Sequence, residues 1–129
     1  PISAVVVDID HFKRINDSYG HDIGDEALIH VATLMKDTVR TSDIVARTGG
    51  EEFLILFPHA TLTQAVKLAE KIRATIEQTP FEKGDIHHVI TASFGVATAL
   101  TDSNLNATLK QADDNLYKAK EQGRNRVVE

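Results

Sequence analysis

The chain carries its most informative motif at Gly49-Gly50-Glu51-Glu52-Phe53. Runs of residues that favour β-strands lie on either side, at 43–48 and 53–57. A Gly-Gly link between two such runs predicts a tight hairpin, because both glycines can adopt positive φ without steric strain. The tip of this hairpin would carry two adjacent carboxylates. Since neighbouring carboxylates repel each other, their presence at one tip favours a bound cation.

A second acidic segment follows the apolar run 4–7, which we interpret as a strand buried on both faces. Asp8 and Asp10 would share one face of this strand, because side chains alternate along it. If the hairpin pairs beside it, the acids meet at one edge of the sheet, and only one of Glu51 and Glu52 points at Asp8. Such a cluster suits Mg²⁺ or Mn²⁺. On spacing alone, four solvated loop-end acids remain an equal alternative.

The segment after this strand predicts a loop and then a helix. Asn, Asp and Gly are frequent at 16–24, which favours a loop. Asp25 would cap the N-terminus of the helix. Apolar residues at helical spacing define the face that the helix buries: Leu28, Val31, Ala32, Met35 and Val39.

The second half of the chain predicts two more helices and two more strands. Thr61 and Gln64 have capping-box spacing at the start of one helix. Its buried stripe comprises Leu62, Ala65, Val66, Ala69, Ile72 and Ile76. A strand at 89–99, a helix from Leu105 that stops near Gly123, and a short edge strand at 127–128 follow. The order β-α-β-β-α-β-α-β predicts one α/β (α+β) domain whose helices pack on a mixed, mainly antiparallel sheet.

Composition restricts the ligands. The chain has 129 residues, net charge −5 and no cysteine, and no run of residues is apolar enough to span a membrane. The charge disfavours nucleic acid, so a phosphorylated ligand needs a metal and a local basic cluster. Such a cluster lies near the C-terminus: Lys118, Lys120, Arg124 and Arg126. The absence of cysteine fits a cytoplasmic protein. Because the chain starts at Pro1, close to a strand, we expect an N-terminally truncated piece of a longer protein.

Two further groups of residues are weak signals by themselves. Asn16 and Asp25 could read the edge of a purine, because a carboxylate accepts two hydrogen bonds from guanine but repels the acceptor N1 of adenine. On spacing alone, their roles as turn former and helix cap are the stronger interpretation. Arg40 and Asp43 form the second group, and Arg40 could simply end a helix.

Taken together, several segments resemble the GGDEF family of diguanylate cyclases, and they span the chain in the family's order. They are Asp8 to His21, Gly24-Asp25, Ala46 to Phe53, Ser93 to Ala97, Ala112 to Lys120, and Gly123 to Asn125. Glu51, where the family name has Asp, is a variant that active members carry. The resemblance implies a palm-like fold related to nucleotidyl cyclases and polymerases. It also implies condensation of two GTP into cyclic di-GMP and two pyrophosphates.

The resemblance assigns the catalytic residues as well. Asp8, the backbone carbonyl of Ile9 and Glu51 would hold Mg²⁺ or Mn²⁺, with Glu51 also the base for the 3′-hydroxyl. Glu52 would lend charge, and Lys13 would stabilise charge on the phosphates. Two subunits would face each other in a homodimer, each holding one GTP.

Further family positions concern the nucleotide and its product. Those proposed to bind substrate are Asn16, His21, Asp25, Gly49, Gly50, Lys120 and Arg124. Arg40 and Asp43, assisted by Lys71, would form an inhibitory site for cyclic di-GMP. A sensory or receiver domain would accompany this domain in the full-length protein. The alternative is a non-catalytic module that binds GTP or cyclic di-GMP and signals through its partners.

Overall fold

A computed structural model describes residues 1–101 and 104–129 of the chain. The elements are β1 (Ile2–Ile9), α1 (Phe12–Tyr19), α2 (His21–Thr38), β2 (Ile44–Arg47), β3 (Glu52–Pro58), α3 (Leu62–Gln78), β4 (Phe81–Lys83), β5 (Ile86–His88), β6 (Ala92–Ala99), α4 (Leu105–Glu121) and β7 (Val127–Val128). Five strands form one sheet in the order β2-β3-β1-β6-β7. In this sheet the β6–β7 pair is parallel, and the pairs β2–β3, β3–β1 and β1–β6 are antiparallel. The predicted mixed, mainly antiparallel sheet is therefore confirmed.

The central strand β1 is buried on both faces, as its run of valines predicts. Val5 and Val7 belong to the larger apolar core, together with α2 and α3. Val6 packs on the other face with Ala112 and Leu116 of α4. Because side chains alternate along a strand, α2 and α3 cover one face of the sheet and α4 covers the opposite face.

The helix α4 approaches the sheet closely at Gly95. A Cβ atom at this position would lie 2.1 Å from the carbonyl oxygen of Ala112 and 2.3 Å from the backbone nitrogen of Leu116. Nearby, the Asn115 side chain donates to the Val96 carbonyl at 2.9 Å. The glycine thus fixes α4 against β6 and, with it, the position of the helix's C-terminal end. Within the described ranges, no helix has the length and hydrophobicity that crossing a membrane requires.

The segment expected to be a loop is helical, which corrects the prediction for residues 16–24. α1 buries Phe12 and Ile15 at helical spacing, and α2 begins at His21 rather than at Asp25. Gly20, at φ 90°, separates the two helices. The burial of two apolar side chains outweighs the turn preference of the Asn and Asp residues around them. Asp25 lies inside α2 and is not its N-cap.

Three smaller expectations are also settled. The capping box of Thr61 and Gln64 is confirmed, since each side chain bonds the other residue's backbone N–H. Leu62 is 38% exposed, so its predicted burial is wrong. The strand expected from Val89 begins at Ala92, and a separate hairpin, β4–β5, precedes it. This hairpin turns at Gly84, where φ is 56°, and its strands are too short to predict from pattern.

The glycine link between β2 and β3 is wider than predicted. Residues 48–51 separate the two strands, and the N–H groups of Thr48 and Gly49 donate to the Glu52 carbonyl at 3.0 and 3.4 Å. Neither Gly49 nor Gly50 has positive φ. Instead, the Arg47 guanidinium donates to both glycine carbonyls, at 2.8 to 3.0 Å. The predicted hairpin is present, but an arginine rather than glycine conformational freedom holds its tip.

Candidate active site

The carboxyl end of β1 brings acidic residues from two strands together. Asp8 pairs across the sheet with Glu52 of β3 and with Ser93 of β6. Directly paired residues in antiparallel strands project from the same face. Glu52 therefore shares a face with Asp8, whereas Glu51 lies opposite Ile9, whose N–H donates to the Glu51 carbonyl at 3.1 Å. The assignment of Glu51 as the metal ligand stays a prediction.

Glu52 lies in an unfavourable environment for a charged carboxylate. Partial burial raises its pKa, and the negative charge of Asp8 raises it further, as do Asp113 and Glu51. Lys120 acts in the opposite direction. For Glu52, burial and the neighbouring acids thus outweigh the effect of Lys120.

Among the described residues, Asp8 has one cationic partner. It is 8% exposed, and its Oδ2 accepts a hydrogen bond from Nζ of Lys120 at 2.6 Å. Lys120 lies in the last turn of α4, where a cation also interacts favourably with the helix dipole. The fold therefore brings the basic end of α4 to the acidic end of β1.

The oxygen atoms at this end are of the type that a divalent cation binds. In the part of the chain that the structure describes, the side chains of Glu51 and Glu52 form no hydrogen bond or ion pair, and Glu51 N–H does not bond the Ile9 carbonyl. Within those residues, no group of three or more His, Asp or Glu side chains is arranged to hold a metal ion. The oxygens of Asp8, Ile9 and Glu51 would thus need ligand or water oxygens to complete a shell, which is usual for Mg²⁺.

Asp10 differs from the other acids. It is 7% exposed, and its carboxylate accepts hydrogen bonds from Thr91 Oγ1 at 2.8 Å, Ser93 Oγ at 2.7 Å and the backbone N–H of Asn125 at 3.0 Å. These donors occupy both of its oxygens. The four-acid cluster expected from the sequence is therefore reduced to Asp8, Glu51 and Glu52.

The candidate purine-reading residues lie on the α1–α2 pair. His21 and Asp25 are exposed and one helical turn apart on α2, and Asn16 is half-buried on α1. A Cβ atom at Gly24 would lie 1.8 Å from Oδ1 of Asn16. Gly24 therefore makes the space that the Asn16 amide occupies beside α2, a role that spacing did not reveal. Lys13 is exposed on the same short helix α1.

Arg124 lies just beyond the end of α4. Its backbone is left-handed, with φ 65°, and its N–H donates to the Ala119 carbonyl at 2.9 Å. Its side chain is exposed. The next residue, Asn125, bonds Asp10, so Arg124 adjoins the same end of β1 as Lys120.

The Arg40–Asp43 pair lies at a separate corner, next to the end of β3. Arg40 donates to both oxygens of Asp43, at 2.9 to 3.2 Å, and to the Pro58 carbonyl at 3.2 Å. The pair lines an open cavity of about 310 Å³ with Lys36, Val39, Thr41 and Val45. Arg40 follows the end of α2 but is not its last residue. Lys71 is exposed on α3 and does not line this cavity.

A family profile described as "Diguanylate cyclase, GGDEF domain" matches residues 1–126. The chain therefore belongs to the GGDEF family of diguanylate cyclases, nucleotidyltransferase-type enzymes with a palm-like fold. The resemblance drawn from the motifs is confirmed at the level of family and fold.

Two relatives show the extent of the similarity. The chain is 44% identical to the response regulator PleD of Caulobacter vibrioides over 131 residues, which cover 99% of this chain and 29% of PleD. It is 38% identical to the diguanylate cyclase DosC of Escherichia coli, over 98% of this chain and 28% of DosC. The chain thus spans less than a third of either relative.

Solved structures of similar domains agree in fold. The GGDEF domain of DgcB from Caulobacter crescentus, in complex with c-di-GMP, is 33% identical with a TM-score of 0.92, and the match covers 98% of this chain and 76% of that one. The active GGEEF domain of a diguanylate cyclase from Vibrio cholerae is 38% identical with a TM-score of 0.89, covering 98% and 81%.

Proposed function

We propose that this domain condenses two molecules of GTP into cyclic di-GMP and two molecules of pyrophosphate. The observation that carries the proposal is the convergence at one end of β1. Asp8 of β1, Glu52 of β3 and Lys120 of α4 meet there, with Glu51 in the adjoining link. A site with excess acid beside exposed cations is suited to a metal-bound triphosphate.

The base of GTP would be selected by α1 and α2. Asn16 and Asp25 have no hydrogen-bond partner for their side chains in the described residues, so their polar groups are free for a ligand. A carboxylate at Asp25 accepts from N1–H and N2–H of guanine, whereas adenine offers an acceptor at N1. Together with His21 on the same face of α2, these residues would hold the purine.

The triphosphate would extend from the base toward the basic end of α4. Lys120 and Arg124 would bind the terminal phosphates, and Lys13 would stabilise charge that develops during transfer. The exposed Gly49 and Gly50 lack side chains, so the backbone can approach a phosphate closely. Lys120 would have to exchange its contact with Asp8 for one with phosphate.

Asp8, the Ile9 carbonyl and Glu51 would hold one or two Mg²⁺ or Mn²⁺ ions, which neutralise the phosphates and lower the pKa of the attacking hydroxyl. Glu51 would accept the proton from the 3′-hydroxyl, whose oxygen then forms a bond to the α-phosphorus of the second GTP. Pyrophosphate leaves from that phosphorus. Glu52 adds negative charge that favours the cation.

Two copies of the domain would form the catalytic unit. The product contains two identical phosphodiester bonds, and each copy would supply one GTP. Two sites that face each other give both substrates the same environment. We propose that further domains of a longer protein, such as a sensory or receiver domain, control this pairing.

The corner at Arg40 and Asp43 would bind the product and limit its own synthesis. An arginine fork matches the O6 and N7 acceptors of guanine or a phosphate. The fork lines an open cavity with Lys36, and both cations attract a dianionic ligand. Lys71 does not line that cavity, so it would have to contact the bound product from outside it.

The test is incubation of the full-length protein with GTP and Mg²⁺ and mass spectrometry of the product. Formation of cyclic di-GMP with release of two pyrophosphates is the expected result. Failure to form it under any activating condition, with GTP binding retained, would favour the non-catalytic binding module. Equal affinity for GTP and ATP would contradict the guanine-reading role of Asn16 and Asp25.

A further inference from the structure

The turn that follows α4 has an unusual backbone for its residue types. Arg124 and Asn125 are consecutive and both left-handed, with φ values of 65° and 47°. Asn tolerates this conformation, but for Arg it is strained and persists only where surrounding contacts impose it. The contacts that impose it here come from two directions.

Asp10 supplies the first contact. The Asn125 N–H donates to Asp10 Oδ2 at 3.0 Å, and Thr91 and Ser93 hold the same carboxylate at 2.8 and 2.7 Å. Asp10 is 7% exposed, and the hydroxyl groups of Thr91 and Ser93 hold its carboxylate in place, so it is a rigid acceptor. The carboxylate just beyond β1 thus anchors the backbone of the turn.

The side chain of Asn125 supplies the second contact. Its Nδ2 donates to Glu77 Oε2 at 2.7 Å, and its Oδ1 accepts from Arg73 Nη1 at 2.9 Å. Glu77 and Arg73 are both on α3. Since Arg can only donate, the two partners define the orientation of the amide. The turn is therefore held between β1 and α3.

We propose that Asp10 and Asn125 are positioning residues that fix Arg124 at the phosphate end of the active site. The inference rests on the proposed function, in which Arg124 binds the terminal phosphates of GTP. Residue 124 lies between Lys120, which contacts Asp8 at 2.6 Å, and Asn125, which contacts Asp10. A cation fixed in advance binds phosphate without the entropic cost of ordering its backbone.

The variant Asn125→Gly tests this role. Glycine adopts the left-handed backbone easily, so the change removes the side-chain contacts without adding strain. We expect the affinity for GTP with Mg²⁺, measured by titration calorimetry, to fall about tenfold. The affinity for GMP should change little, because GMP lacks the phosphates that Arg124 binds. General loss of the fold would instead lower the affinities for GTP and GMP equally.

A double-mutant cycle identifies the residue through which Asn125 acts. If it acts through Arg124, Arg124→Ala combined with Asn125→Gly should bind GTP no more weakly than Arg124→Ala alone. Additive losses would overturn the proposal. The matched control is Glu70→Gln, which touches Arg73 but not Asn125, and which should leave the GTP-to-GMP affinity ratio unchanged.

A second variant covers the case in which Asn125→Gly fails to fold. Asp10→Ala removes the carboxylate and all three of its contacts, so the backbone of the turn loses its anchor. This variant should lower the ratio of the affinity for GTP to the affinity for GMP, and an unchanged ratio would overturn the proposal. If the unsubstituted chain binds no GTP, the proposed function fails together with this inference. If it binds GTP normally while both variants keep the ratio, only the positioning role fails.

Discussion

The end of β1 and the Arg40–Asp43 corner both place a carboxylate beside a cation, but the two pairs are built differently. At β1, one ammonium nitrogen of Lys120 contacts one oxygen of Asp8, at 2.6 Å. At the corner, the Arg40 guanidinium bonds both oxygens of Asp43, and the Arg40 N–H adds a further bond at 2.8 Å. The side chain of Asp43 is fully buried in this arrangement.

The difference indicates different uses. A lysine is a point charge on a flexible stem, so it can leave Asp8 when a metal or a phosphate competes. A guanidinium fork loses several bonds at once when it opens, and Asp43 would remain buried without its partner. The end of β1 is therefore suited to exchange of ions, whereas at the corner a ligand that uses the Arg40 fork must first displace Asp43 from it.

The largest expected effect comes from a substitution that disrupts the end of β1 alone. Glu51→Gln removes a proposed metal ligand and base, so formation of cyclic di-GMP should fall by about 10²- to 10⁴-fold. Binding of added cyclic di-GMP at the Arg40–Asp43 corner should persist, as titration calorimetry can check. Glu82→Gln, on the β4–β5 hairpin, is the matched control. Retained synthesis in a folded Glu51→Gln variant would contradict the role assigned to Glu51.

Much of the β1 end could be predicted because its signals are local and periodic. The apolar run before Asp8 predicted the buried strand. Elsewhere in the fold, the capping box predicted the start of α3 in the same way. α1 was missed because its Asn and Asp residues favour turns when taken singly. Only the burial of Phe12 and Ile15, a tertiary effect, makes that segment helical.

The spacing of residues in the sequence could not predict details that depend on the register of paired strands or on the close packing of two elements. The pairing of Asp8 with Glu52 follows from the strand register, which no sequence pattern fixed. The use of Asp10 as an anchor requires Asn125, which is distant in sequence. Similarly, the space that Gly24 leaves for Asn16 appears only when α1 and α2 pack together.

The second prediction concerns a substitution that disrupts the Arg40–Asp43 corner. Arg40→Ala should weaken binding of cyclic di-GMP by about 10- to 100-fold, since hydrogen bonds from a charged group contribute about 1.5–3 kcal/mol. Calorimetry with cyclic di-GMP measures this, and the product concentration that halves the rate should rise in parallel. Lys67→Ala, an exposed cation on α3, is the control.

Arg40→Ala also leaves Asp43 without its guanidinium, so a companion variant is needed. Arg40→Lys keeps a positive charge beside Asp43 but cannot form the fork. It should bind cyclic di-GMP more weakly than the parent while losing less stability than Arg40→Ala. If Arg40→Lys binds the product as tightly as the parent, fork recognition is wrong.

The third prediction sharpens the contrast by removing the lysine at the β1 end. Lys120→Met should lower the affinity for GTP about tenfold, the loss of one charge-assisted contact of roughly 1.4 kcal/mol. In the absence of nucleotide, the same variant should bind Mg²⁺ more tightly, because Asp8 loses its competitor. Lys118→Met, an exposed neighbour on α4, is the control. Weaker binding of Mg²⁺ alone would show that Lys120 does not compete with the metal.

The smallest expected effect concerns the charge that remains at the β1 end. Because burial and Asp8 raise the pKa of Glu52, the folded state holds its proton more tightly than the unfolded chain does. This contribution to stability is complete below the ordinary pKa of a glutamate and is lost as pH rises through the raised value. Glu52→Gln has no such proton to lose, so at neutral pH it should be more stable than the parent.

The difference in unfolding free energy should be within about 0.5 kcal/mol, typical of a substitution outside the buried core. Urea unfolding of both proteins at pH 7 and below pH 4 can measure it, and the difference should close at the lower pH. Mg²⁺ should also reduce it at pH 7, because a bound cation offsets the repulsion that the glutamine removes. Glu121→Gln, exposed at the end of α4, should show neither dependence. A Glu52→Gln variant less stable than the parent at pH 7 would mean that the carboxylate has a stabilising partner, and the β1 end would then resemble the self-satisfied Arg40–Asp43 corner.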